Sequence, residues 1–102
     1  MRLQLLHVEE CPNEVVALER VEAALSGLGR DDHVEQVLIS THDEARQWSF
    51  HGSPSLLVDG VDVFAGPDDQ VALACRLYRT PHGPAGFPDL EQVSEALRRA
   101  SS

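Results

Sequence analysis

Residues 2–14 read Arg-Leu-Gln-Leu-Leu-His-Val-Glu-Glu-Cys-Pro-Asn-Glu, and the periodicity of the chain changes inside this stretch. Arg2–Val8 is rich in apolar side chains and has no glycine or proline, which predicts a buried β-strand. From Pro12 onward, apolar residues recur every three or four positions, as they do on one face of a helix. Pro12 suits the first position of this helix, so Cys11 is predicted to be its N-cap. A thiol at such a junction has its reactivity set by the surrounding backbone.

The start of this helix bears on the chemistry of Cys11. We expect Glu14 to reach back and cap the residue 11 amide. The unpaired amides and the positive end of the helix dipole favour the thiolate of Cys11, whereas the nearby carboxylates favour the thiol. Exposed carboxylates are screened by water and salt, so we expect the helix to prevail. The residues predicted to form the buried helix face are Val15, Leu18, Val21, Leu25 and Leu28.

The rest of the chain predicts a strand, a second helix, a hairpin and a last helix. Asp59-Gly60 lies between two apolar runs and is the two-residue signal for a tight antiparallel hairpin. Ala65–Pro88 is rich in glycine and proline, so it is predicted to be mostly loop, with a short strand near Cys75. The other predicted elements are a strand at His33–Ser40, a short helix opened by a capping box at Thr41–Glu44, and a helix carrying Leu90, Val93 and Leu97.

This order of elements predicts an α/β fold. Right-handed crossovers make the first two strands parallel neighbours, and the hairpin joins the other side of the first strand. The result is a four-stranded mixed sheet in the order 2-1-3-4, with an insert before the last helix. Two short motifs stand at the starts of elements, Cys11-Pro12-Asn13-Glu14 before the first helix and Gly52-Ser53-Pro54-Ser55 before the third strand.

With these motifs in this order, the chain resembles the thioredoxin-like superfamily, a three-layer βαβαββα fold. It is similar to small bacterial members that have a Cys-Pro-Asn motif and a later Cys-Arg-Leu-Tyr segment. The resemblance implies that Pro54 is a cis-proline and that the Ser53 backbone faces Cys11, where it can pair with an extended substrate peptide. It assigns catalysis to Cys11 and substrate binding to Pro12, Ser53 and Pro54.

The chain departs from the family at position 14, where Glu14 replaces the second cysteine of C-x-x-C. A dithiol cycle within the motif is therefore excluded, and either an external thiol or Cys75 must complete the reaction. The fourth strand returns the chain to the edge of Cys11, so the insert is predicted to emerge there. A flexible insert can bring Cys75 to the roughly 4.4–6.8 Å between α-carbons that a disulfide needs. An inert, packed Cys75 is an equally open interpretation.

The length and composition of the chain argue against several classes of protein. At 102 residues, the chain is predicted to form a single domain spanning residues 1–102. A net charge of -9 opposes nucleic-acid binding, and no apolar run is long enough to span a membrane. Without a signal-peptide pattern, the expected location is cytoplasmic. The histidines lack zinc-site spacing, so neither a structural metal nor a cofactor is expected.

The leading hypothesis is a thiol–disulfide oxidoreductase in which Cys11 attacks an oxidised sulfur, and Cys75 or an external thiol resolves the mixed disulfide. Its partner is a protein with a thiol or disulfide, or a small thiol. One alternative is a noncatalytic thioredoxin-like binding module. Another is the capture of Hg(II) or Cu(I) by the two thiols. The oligomeric state has no signal in the sequence.

Overall fold

The structure is a computed structural model that describes residues 1–66 and 69–101. Residues 67 and 68 of the predicted insert lie outside the described residues. The elements follow the predicted order, with an additional hairpin before the last helix. In chain order they are β1 (Leu3–His7), α1 (Glu14–Gly27), β2 (Val34–Leu38), α2 (His42–Gln47), β3 (Ser55–Val58), β4 (Val61–Asp62), β5 (Tyr78–Thr80), β6 (Gly83–Ala85) and α3 (Leu90–Ser101).

The main sheet has the order β2-β1-β3-β4, which confirms the predicted four-stranded mixed sheet. β1 is parallel to β2 and antiparallel to β3, and β3 is antiparallel to β4. Asp59 and Gly60, between β3 and β4, both have positive φ, at 51° and 85°. Positive φ at both central residues is the geometry of a type I′ turn, so the predicted hairpin is also confirmed.

Alternating side chains of the central strands divide the apolar core between the two faces of the sheet. Leu5 and Leu56 lie on the face that α1 and α3 cover, in a cluster with Val21 and Val93. Leu6, Leu57, Ala45 and Phe50 form a second cluster, on the face covered by α2. The sheet is therefore a middle layer between helices.

The buried face of α1 differs from the prediction at its first turn. Val15 is 64% exposed, and the buried positions are Ala17, Val21, Ala24 and Leu25. The predicted Leu18 and Leu28 are only partly buried against the core. A valine at helical spacing is buried only where the sheet and α3 cover the helix, and the first turn of α1 is not covered there.

The second half of the insert contains more regular structure than its composition predicts. Tyr78–Thr80 and Gly83–Ala85 pair as an antiparallel hairpin, β5–β6. The Tyr78 ring contacts Phe64 and Phe87 edge-to-face, with ring centroids 5.7 Å and 5.5 Å apart. Tyr78 and Phe87 also belong to the core cluster under α1 and α3. Aromatic packing therefore holds a glycine- and proline-rich segment against the domain.

Side-chain hydrogen bonds cap the first turns of α2 and α3. Thr41 and Glu44 form the predicted capping box, because the Thr41 side chain accepts from the Glu44 amide and the Glu44 carboxylate accepts from the Thr41 amide. Asp89 and Gln92 exchange equivalent bonds at the start of α3. Among the described residues, none of the helices has the length and apolar character that crossing a bilayer requires.

Candidate functional site

Cys11 lies in the turn between β1 and α1. Asn13 is the N-cap of α1, so the prediction of Cys11 as N-cap is wrong by two residues. The Glu14 amide donates to the Cys11 carbonyl at 3.3 Å, which closes a turn ahead of the helix. Glu10 has a φ of 53°, a left-handed conformation that non-glycine residues rarely adopt, and it redirects the chain just before Cys11. The site is therefore set by a turn rather than by a helix cap.

Cys11 is a buried residue that lies outside the two main apolar clusters. Cys11 is 9% exposed. It belongs to neither of the two apolar clusters that form the core. Its neighbour Pro12 is exposed. Cys11 thus lies at the margin of the domain, beside a residue that a partner can reach.

Glu14 does not cap the residue 11 amide. Its carboxylate lies 3.0 Å from His7 Nε2 and accepts a hydrogen bond from Gln36 Nε2 at 2.6 Å. His7 Nδ1 also lies 3.1 Å from the Val8 carbonyl. The Glu14 carboxylate is therefore held by side chains of β1 and β2, three residues after Cys11.

Ser53 and Pro54 lie at the same edge of the sheet as Cys11. The β1–β3 register pairs Leu6 with Ser55, so the two residues before β3 lie beside the end of β1. The Val8 amide donates to Ser53 Oγ at 3.0 Å, three residues before Cys11. Both Ser53 and Pro54 are buried, and the peptide bond between them is cis, as the resemblance implies.

The backbone of Ser53 is already paired, contrary to the expectation of a free edge. Its amide donates to the Ala74 carbonyl at 2.7 Å, and its carbonyl accepts from the Arg76 amide at 3.0 Å. Ser53 and Cys75 are thereby partners in an isolated parallel bridge. We call Ala72–Arg76 the Cys75 segment. This segment occupies the edge where a substrate peptide was predicted to pair.

Cys75 is exposed, and both cysteines are free thiols. The bridge to Ser53 brings the backbone of Cys75 to the edge near Cys11, where the topology placed the insert. The two cysteines are nevertheless not within disulfide distance of each other. A disulfide between Cys11 and Cys75 therefore requires the Cys75 segment to move.

Arg76 anchors the Cys75 segment, a role that the sequence did not reveal. Its guanidinium donates to Asp62 Oδ2 at 2.7 Å and to the Phe64 carbonyl at 2.8 Å. The Arg76 and Asp62 side chains are only 9% and 8% exposed. The guanidinium also lies over the Tyr78 ring, 4.6 Å from its centroid. Nothing local in the sequence marks this arginine as the partner of a distant aspartate.

Tyr78 connects this anchor to the proline loop. Its hydroxyl donates to the Pro54 carbonyl at 2.5 Å, and burial raises the pKa of Tyr78. Gly52, directly before Ser53, allows Arg76 to pack closely, because a Cβ at residue 52 would lie 2.9 Å from Arg76 Cβ. Tyr78 therefore packs in the core and also holds the backbone of the predicted substrate loop.

The C-terminal end of the insert lies against residues 8–13, the turn between β1 and α1 that contains Cys11 and that we call the Cys11 turn. A Cβ at Gly86 would come within 2.5 Å of Asn13 Cγ, so the bare backbone of Gly86 lies directly against that side chain. Arg20 of α1 donates to the Pro88 carbonyl at 2.9 Å and fixes the same stretch. The insert thus borders the site twice, at Ser53 through the Cys75 segment and at Asn13 through Gly86.

Within residues 1–66 and 69–101, no three histidine, cysteine or acidic side chains are grouped in a way that would hold a metal ion. Comparison of the chain with family models, curated proteins and solved structures finds no match. The Cys11 turn, the Ser53–Pro54 loop and the Cys75 segment meet at one edge of the sheet and form the candidate site.

Proposed function

We propose that the chain is a thioredoxin-like thiol protein that exchanges disulfides through Cys11. The observation that carries the proposal is the hydrogen bond from the Val8 amide to Ser53 Oγ, which holds the Ser53–Pro54 loop beside the turn that contains Cys11. The sheet order β2-β1-β3-β4, with helices on both faces, also supports a thioredoxin-like architecture. An edge that combines a thiol with a loop able to pair with a peptide, once the Cys75 segment has moved, suits reaction with an extended, cysteine-bearing partner.

The first step is attack by the Cys11 thiolate on one sulfur of a partner disulfide. A bond forms between Cys11 Sγ and that sulfur, the partner's S–S bond breaks, and the other partner sulfur leaves as a thiolate that takes up a proton. In the second step, another thiolate attacks Cys11 or the bound partner sulfur and breaks the mixed disulfide. The partner disulfide is the oxidant, and a thiol is the reductant.

Two catalytic cycles are possible, and they differ in which thiol resolves the mixed disulfide. Glu14 occupies the position of a resolving cysteine and is bound to His7 and Gln36, so it supplies no sulfur. Cys75 can serve only if its segment moves toward Cys11, and the product is then a Cys11–Cys75 disulfide that an external thiol must reduce. Otherwise a small thiol resolves the mixed disulfide directly.

A noncatalytic binding module is the second candidate, because Cys11 is only 9% exposed. In that case the Cys11 turn and the Ser53–Pro54 loop recognise a partner without sulfur exchange. The soft-metal alternative has less support, since it requires both sulfurs on one ion and the two cysteines are not within disulfide distance.

Single-cysteine variants test the proposal with glutathione disulfide as the probe. Access alone would make the exposed Cys75 react faster than the buried Cys11. If the fold activates Cys11, the Cys75→Ser variant should instead form its mixed disulfide about tenfold faster than the Cys11→Ser variant. Nonreducing mass spectrometry over a time course gives both rates.

The same two variants, unfolded in urea, provide the control, because their rates should become similar once the fold is lost. A folded Cys11 that reacts more slowly than Cys75 would contradict the redox proposal and favour the binding module. In the wild-type chain, a mixed disulfide at Cys11 that decays to a Cys11–Cys75 disulfide identifies Cys75 as the resolving thiol. One that persists until a small thiol is added identifies the external route.

A further inference from the structure

The Cys75 segment is bound to Ser53 in the way that an added β-strand binds a sheet edge. The Ser53 amide and carbonyl are bonded to Ala74 and Arg76, the residues on either side of Cys75, which is the pattern of a parallel ladder. A further bond runs from the Ala72 amide to the Phe50 carbonyl at 2.9 Å. These are main-chain contacts, which any extended peptide of suitable shape can make.

The segment lies at the margin of the fold rather than within it. It contributes one isolated bridge and lies outside the named strands of both sheets. Ala74 and Cys75 are exposed. Arg76 is its anchor, with a side chain only 9% exposed, and Leu73 packs against an apolar cluster. The segment is thus held by two side chains and by main-chain bonds to one sheet edge, as a peptide ligand tethered to its own receptor would be. Because it belongs to no named strand, we expect it to open at a lower free-energy cost than the core.

Two side chains determine which peptide the edge accepts. Leu73 packs against the apolar cluster that contains Phe50. Arg76 enters the acidic site made by Asp62 and the Phe64 carbonyl. Cys75, opposite Ser53, remains exposed between them. The edge thus fits an extended segment with an apolar residue two positions before a cysteine and an arginine directly after it.

We infer that the Ser53 edge is a binding site for extended peptides of the pattern apolar–x–Cys–Arg, and that the Cys75 segment is its resident occupant. This inference rests on the proposed function for its biological meaning. A peptide bound in the same register holds its cysteine where Cys75 lies, beside the proline loop but outside disulfide distance of Cys11, so exchange requires a further shift of the bound peptide. A partner binds only when the Cys75 segment leaves. The tether gives the segment a high effective concentration, so an incoming peptide competes at a disadvantage until the Arg76 anchor is weakened.

Hydrogen exchange on the unaltered protein tests whether the segment leaves. The Ile39 amide is the reference, since Ile39 is 1% exposed and its amide donates to the His7 carbonyl at 2.8 Å beside the central strands. The Ser53 and Arg76 amides should exchange about tenfold faster than the Ile39 amide. Equal protection of all three would show that the segment is a permanent part of the fold and would overturn the inference.

Peptide binding tests whether the vacated edge accepts a ligand. The probe is a synthetic peptide with the sequence of residues 71–77 and the change Cys75→Ser. It is titrated into proteins that also carry Cys11→Ser, and because the peptide has no cysteine, no disulfide can join it to the protein. Adding Arg76→Ala to the protein weakens the internal anchor, and adding Arg79→Ala is the matched control, because Arg79 is an exposed arginine of β5. NMR shifts at the Ser53 amide report binding.

The peptide should bind the Arg76→Ala protein about tenfold more tightly than the Arg79→Ala protein. A second peptide that also lacks the arginine should lose most of this gain, because Asp62 then has no cation to bind. Equal affinity for both proteins, or no binding to either, would overturn the inference. Since these measurements use proteins without Cys11, their failure leaves the disulfide-exchange result unaffected, and the reverse also holds.

Discussion

Replacing Gly52 by alanine should lower the free energy of unfolding by about 3 kcal/mol. Gly52 has a φ of 113°, a backbone region that is costly for any residue with a Cβ. The new Cβ would also lie 2.9 Å from Arg76 Cβ and 3.3 Å from the Ala74 carbonyl. Backbone strain and collision therefore act together. Urea unfolding, followed through the fluorescence of the single tryptophan Trp48, measures the loss.

Gly60→Ala is the matched control for this result. Gly60 also has a positive φ, at 85°, but no atom lies within 4 Å of a Cβ placed there. This substitution should cost about 1 kcal/mol, from the left-handed backbone alone. If the two variants lost the same stability, the close approach of Arg76 and Ala74 to Gly52 would not contribute. The difference between them therefore measures the combined cost of the different backbone conformation at Gly52 and of the contacts with Arg76 and Ala74.

Sequence patterns predicted the central fold because those elements are locally encoded. In three segments, a few neighbouring residues are enough to predict the structure. They are the apolar run before Cys11, the Asp59-Gly60 turn and the Thr41–Glu44 capping box. The order of these elements then restricts the sheet to 2-1-3-4, as observed. The exposed first turn of α1 was missed, because periodicity defines a helix face but not how far its covering layer extends.

The candidate site was less predictable because it depends on contacts between distant parts of the chain. The pairing of Ser53 with residues 74 and 76 joins segments separated by more than twenty positions. The burial of Arg76 against Asp62 has no local signature in a chain with many exposed charges. Glu14 illustrates the competition between partners. A local cap on the residue 11 amide was expected, but His7 and Gln36, from β1 and β2, bind its carboxylate instead.

Tyr78→Phe should lower the free energy of unfolding at neutral pH by about 2 kcal/mol, because the buried Pro54 carbonyl loses the hydroxyl that it accepts from. The ring contacts with Phe64 and Phe87 are retained, so the change isolates the hydrogen bond. Urea unfolding measures the loss. A variant as stable as the parent would mean that the hydroxyl does not hold the proline loop.

Because Tyr78 is buried, the free energy of unfolding should depend on pH in the alkaline range. Burial raises the pKa of Tyr78 in the folded protein, so above the ordinary tyrosine pKa of about 10 the unfolded chain loses this proton first. Stability should therefore fall as pH rises through that value and should fall less in Tyr78→Phe. Tyr78 is the single tyrosine and all eight basic residues are arginines, so no other side chain has an ordinary pKa near 10. Tyrosinate absorbance measures this titration. If it rose at the same pH in the folded and the urea-unfolded protein, the Tyr78 hydroxyl would not be enclosed. The proposed link between the insert and the Ser53–Pro54 loop would then fail.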